Sequence, residues 1–178
     1  MKAPNKFSIM LLAWGIFIAF FIVYCDLKME REMHSSDYLT CFHTAGYLVT
    51  HGNFEDLYSP PDATTFAGLP FDKTAHDLLK YMAPSMVAEF MYMPISAFVL
   101  APFSMLQPQF SLMAWQLTSM ASVLLCGFLV CAGAQRTLSG SEARSYDGAL
   151  YLLSFLPIVL TLWIGQVSII FGMLPLCA

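Results

Sequence analysis

The sequence predicts an all-α protein: a polytopic transmembrane helical bundle of four to five spans, with an extracytoplasmic loop containing amphipathic interfacial helices. Three runs without a charged side chain predict it, Phe7 to Cys25, Phe90 to Gln135 and Gly148 to Ala178, of 19, 46 and 31 residues. A helix needs about 20 apolar residues to cross a ~30 Å hydrocarbon core. In lipid each backbone polar group must be satisfied within its own segment, and an open chain does that only as a helix. Composition agrees. Only 11% of the 178 residues are charged, against about 25% in an ordinary soluble domain.

The first run supplies one span, in residues 1–25. Lys2, Lys6 and the terminal amine precede it, which places the N-terminus in the cytoplasm. The stretch "IVYCDLK" lacks a small-x-small cleavage pattern, so the span reads as an uncleaved anchor. The second run supplies two spans broken at Gln107-Pro108-Gln109. The third supplies one span and most of another, with its break at Gly165-Gln166; together they make the region 90–178. Arg136, Glu142, Arg144 and Asp147 share one short connection there. Strict alternation puts that connection outside, which its two arginines oppose.

Between the first and second runs lies an extracytoplasmic loop, residues 26–89. It holds ten of the twelve acids, four of the eight Lys/Arg and all four histidines. Ser35, Ser36 and Asp37 are good helix N-caps. Tyr38, Phe42, Ala45 and Val49 follow at helical spacing, widened by Leu39, Tyr47 and Leu48. Thr40, His43, Thr44 and His51 fall mostly opposite, and Gly52 closes the helix. A helix of about 14 residues suits the membrane surface rather than a crossing. A second surface helix is expected from Asp72 to about Tyr81. Glu89 stands at the edge of the next span beside Phe90, Tyr92 and Pro94, and an acid at that depth is a candidate for function.

Several chemistries are excluded. No glycine motif of the phosphate-binding, dinucleotide-binding or nucleophile-elbow type is present. No basic patch points to nucleic acid. His43 and His51 are eight apart, not the four of a helical metal pair, and the five cysteines form no CxxC pattern. No cofactor and no metal is expected.

The order of these features resembles the N-terminal part of the GT-C membrane glycosyltransferases, most of all their polyprenyl-phosphate-mannose-dependent mannosyltransferase branch. Asp37, Tyr38, Phe42, Gly52, Leu57 and Tyr58 match the pattern of the first outer loop. Tyr92 and Pro94 match a Tyr-Pro-Pro motif, with Met93 replacing its first proline. Gly165 and Gln166 match a later Gly-Gln-x-Asn, with Ser168 in place of the Asn. The resemblance covers about residues 7–175. It implies a bacterial inner membrane protein, a polyprenyl-phosphate sugar as donor, and Asp37 as general base, with Tyr38, His43, Tyr58, Glu89, Tyr92 and Gln166 at the substrate. It also implies more spans than the four or five counted here, and donor-phosphate contacts from basic residues in later loops. The outer loop itself offers Lys28, Arg31, Lys73 and Lys80.

The short length supports a second reading, a truncated and catalytically silent relative serving as an accessory subunit among other membrane proteins. Small residues at Ser111, Ala114, Thr118 and Ser119 would let neighbouring helices approach. A transporter is disfavoured because no charge lies within the spans.

Overall fold

The computed structural model describes residues 6–28 and 30–137. Helices α1 (Lys6–Lys28), α2 (Glu30–Met33), α3 (Thr44–Thr50), α4 (Pro70–Leu78), α5 (Pro94–Ser104) and α6 (Pro108–Thr137) are joined by a π-helical turn (Tyr38–His43) and a 3-10 turn (Phe54–Leu57). No strand occurs among the described residues, so the chain is all-α there. The third uncharged run, the connection after Thr137 and Gln166 lie outside the described residues.

The chain forms two compact units, one made of the segments up to Tyr24 and from Gln116, the other of Cys25–Trp115. In the first, α1 buries Ile18 and Ile22 but leaves Leu12, Trp14, Ile16, Phe17, Phe20 and Phe21 exposed. Trp14 stacks on Phe17 and Phe17 on Phe21 along that outer face, at 5.4 and 6.2 Å between ring centres. A helix apolar all round is one whose surroundings are apolar. Among the described residues, however, no helix is long and apolar enough to cross a membrane.

The expected second span is corrected most plainly. Its first four residues, Phe90 to Met93, are not helical, and α5 has only 11 residues, a length of about 16 Å at 1.5 Å per residue. Pro94 starts it, because a proline at the first position forfeits no helical hydrogen bond. Pro102 lies inside it, where the missing N–H weakens the last turn, and the helix ends two residues later. The break expected at Gln107-Pro108-Gln109 is found one step earlier, at Met105–Gln107, with Pro108 opening α6.

Within the second unit, α3 packs against α5. Gly46 makes that approach: a Cβ there would collide with Ser104 Oγ and stand 3.2 Å from Ala101 Cα. Gly52 ends the helix as expected, with φ +77°. The amides of Gly52 and Asn53 return to the carbonyls of Val49 and Leu48 at 3.1 and 2.9 Å, the paired bonds of a Schellman cap.

The segment expected to lie at the membrane surface with one polar face is instead buried nearly all round. Thr40, His43 and Thr44 are at most 3% exposed, like Tyr38, Leu39 and Phe42. Their polar atoms are satisfied inside the protein: Thr40 Oγ1 donates to the Ser36 carbonyl and Thr44 Oγ1 to that of Leu39, both at 3.1 Å. Local side-chain-to-backbone bonds of this kind remove the penalty of burying a hydroxyl.

Helix α4 starts and stops slightly before the expected Asp72–Tyr81. Asp72 is buried in its first turn and holds the chain on both sides, accepting the Gly68 amide at 2.7 Å and the Ala88 amide at 2.8 Å. His76, one turn on, donates from Nε2 to the Met86 carbonyl at 3.0 Å and lies 3.7 Å from the Asp72 carboxylate. These bonds hold the stretch before Glu89 onto α4.

Candidate functional site

Asp37 occupies the N-cap position of the π-helical turn, yet its side chain makes no capping hydrogen bond. It is exposed, while the three residues after it are buried. A π-helical turn is an uncommon geometry, often retained where function needs a displaced side chain. Here a rigid, buried base carries one carboxylate into the open.

The charges of Asp37 and Glu89 both reach Cys41. Burial pushes its thiol up from the ordinary range, and the charges of both acids push the same way, against the hydrogen bonds of Thr40 and the Glu89 backbone. Thr40 Oγ1 lies 3.8 Å from the sulfur. The thiol is therefore protonated at neutral pH, and bonding to the Glu89 backbone ties the approach to α5 onto the turn that bears Asp37. The two acids, 52 positions apart in sequence, both act on this one side chain. Glu89 Oε2 is buried and lacks a hydrogen-bond partner among the described residues.

Aromatic rings complete the wall. Tyr92 lies 4.5 Å from Phe42 between ring centres, and Phe90 touches Phe42, Tyr58, Phe71 and Tyr92 at 5.7 to 6.3 Å. The Tyr58 hydroxyl donates to the Tyr92 carbonyl at 2.6 Å. Tyr58 and Tyr92 are about half exposed. Burial raises the phenol of Tyr58, and that of Tyr92 is raised by burial, Cys41 and Asp37 in that order. Both remain neutral hydrogen-bonding groups at neutral pH.

Tyr38 and His43, expected at the substrate, lie instead beneath this surface, 0% and 1% exposed. Ser111 Oγ joins them, 3.0 Å from the Tyr38 hydroxyl and 2.9 Å from His43 Nδ1. Tyr38 also stacks on Trp115, 5.6 Å away and nearly parallel. Burial lowers the His43 pKa to about 4, helped by His34, so the ring is neutral and Nδ1 can accept the Ser111 proton. These residues brace the turn from below. Among the described residues no three His, Cys, Asp or Glu side chains are placed to hold a metal ion.

The approach to α5 and the helices after it carry a family signature. The model of glycosyltransferase family 87 matches residues 90–178. The chain belongs to glycosyltransferase family 87. No curated protein and no solved structure matches it. The matched segment includes Phe90, Tyr92, Ser111 and Gln166 but begins just after Glu89, and Asp37 lies outside it. Cys41, Asp72 and Ser111 join the sequence-derived candidates. Cys41 could have been found from its position, four residues after Asp37 and so on the same side of a helical turn.

Proposed function

We propose that this family 87 glycosyltransferase transfers mannose from a polyprenyl-phosphate donor, at a bilayer in which α1 is embedded, with Asp37 as the general base. The observation that carries the reading is the exposed Asp37 carboxylate. It is uncommitted to its own helix, and its charge is felt at Cys41 and at Tyr92. The acceptor hydroxyl gives its proton to an Asp37 oxygen as its own oxygen bonds to the anomeric carbon. The bond from that carbon to the phosphate oxygen breaks, its electron pair leaves with the phosphate, and the configuration inverts. Asp37 suits the step because a carboxylate within hydrogen-bond reach of the hydroxyl is sufficient. Tyr58 and Tyr92 offer flat apolar faces to a sugar ring and a hydroxyl at its edge. Glu89 holds a sugar hydroxyl on the other side of Cys41, and Gln166 contacts the donor. The uncharged run Phe7 to Cys25 and the apolar outer face of α1 support placement in lipid.

The test is transfer from labelled polyprenyl-phosphate mannose in membranes bearing the wild-type chain or Asp37→Asn. General-base catalysis contributes about 10²- to 10⁴-fold, and a loss of at least that lower size is expected. An Asp37→Asn chain that transfers at the wild-type rate removes Asp37 from the mechanism.

A further inference from the structure

Four Lys/Arg side chains occupy the acidic outer segment, and the structure brings two of them, 49 positions apart, to a single ring. The Arg31 guanidinium and the Lys80 ammonium each lie 5.3 Å from the centre of the Tyr81 ring. Both distances are within cation–π range. The two charges are consequently no further apart than twice that distance. Neither makes an ion pair with an acid among the described residues, where the pair present is His76 with Asp72. Both are exposed.

The support beneath the pair is ordered. His34 is 5% exposed and its ring packs 5.2 Å from that of Tyr81. Its Nδ1 accepts the Tyr81 amide at 3.3 Å, which fixes Tyr81, and with it the backbone that carries Lys80, relative to α2. Two cations gathered at one ring, which a buried histidine fixes, form a place for an anion with several acceptor oxygens. Arginine matches a phosphate as a fork and lysine as a point charge.

We infer that Arg31, Lys80 and Tyr81 form a phosphate-binding site, which takes the phosphate of a lipid-linked substrate or of an anionic lipid headgroup. Its place in a reaction rests on the glycosyltransferase reading above; the binding does not. His34, whose Nδ1 fixes Tyr81, precedes Asp37 by three residues in the chain.

The experiment is equilibrium binding to the purified full chain, with three probes: a polyprenyl phosphate in phosphatidylcholine nanodiscs, phosphatidylglycerol in the same nanodiscs, and inorganic phosphate. Arg31→Gln with Lys80→Gln should weaken phosphate binding roughly 10- to 100-fold, the size expected for lost charge-assisted bonds. Arg31→Lys alone should keep most of it. A loss confined to the polyprenyl phosphate assigns the site to the substrate; an equal loss with phosphatidylglycerol assigns it to the headgroup layer. Because both side chains are exposed, the double variant should keep the wild-type melting temperature. Binding of all three probes at wild-type strength in the double variant would overturn the inference. Asp37→Asn separates the two claims, since it should bind as wild type and fail to transfer. A wild-type chain that binds phosphate through Arg31 and Lys80 but transfers no sugar leaves this site standing and removes the transferase reading.

Discussion

Folding carries His43 from water into a site where it is 1% exposed and its Nδ1 lies 2.9 Å from Ser111 Oγ, and burial lowers its pKa from 6.5 to about 4. Between those values the unfolded chain binds the extra proton and the folded chain does not. The stability from keeping His43 neutral is full above about pH 6.5 and lost as the pH falls toward 4, by roughly 2 kcal/mol at pH 5. Denaturation midpoints of the wild-type chain should fall on acidification with this step, and those of His43→Gln should fall less. Parallel profiles would show that His43 is not the group responsible. Asp37 was legible from sequence as a helix-starting acid, but its freedom from capping was not. That depends on a π-helical turn, which a 3.6-residue pattern cannot announce. The burial of Tyr38 and His43 was not legible for a related reason: a polar atom faces water or a partner, and Ser111, 68 positions beyond His43, is invisible to local spacing.

The contact between α3 and α5 sets a prediction at the scale of elements. Alanine in place of a helical glycine ordinarily gains about 1 kcal/mol, whereas inserting atoms into a packed contact costs about 1–3 kcal/mol. At Gly46 the added Cβ meets Ser104 Oγ, with Ser104 Cβ at 3.0 Å and Ala101 Cα at 3.2 Å. Steric cost therefore wins, and Gly46→Ala should lower the unfolding midpoint, Gly46→Leu more so. Ser104→Ala removes the colliding oxygen and should recover part of the Gly46→Ala loss, a coupling that a double-mutant cycle reads directly. Additive effects would mean that the two helices do not meet here. A second contact, between the π-helical turn and α6, bears on the accessory-subunit reading. Ser111, one of the small residues suited to meeting a neighbouring chain, is taken up by Tyr38 and His43 of its own chain.

For the whole molecule, the central matter is what surrounds α1. Its outer face carries Trp14 at 45% exposed, Phe17 at 54% and Phe20 at 71%. Contiguous apolar surface on this scale is covered in a stable protein, and the proposed cover is lipid. Reconstituted into vesicles with brominated acyl chains, a variant in which Trp115 and Trp163 are replaced by Phe should show strong quenching of Trp14. Emission unchanged by the bromine would place α1 away from the hydrocarbon and remove the bilayer from the proposal. Family 87 membership is compatible with either result, because the match begins only at residue 90.

Composition and uncharged runs determined by themselves that the chain is helical, where its polar segment lies, and which acids stand at the segment's two ends. These are local properties, set by side-chain polarity and by the backbone's need for hydrogen bonds within a segment. Gly52, with its positive φ, belongs with them, because a helix stop is written in a few consecutive residues. The tertiary structure decided the rest. It shortened the segment before Met105 to an 11-residue helix, buried both sides of the turn after Asp37, brought Cys41 within reach of the charges of Asp37 and Glu89, and drew Arg31 and Lys80 to Tyr81. Each joins residues distant in the chain, and such pairings depend on which surfaces fit together, which periodicity along one strand of sequence does not encode.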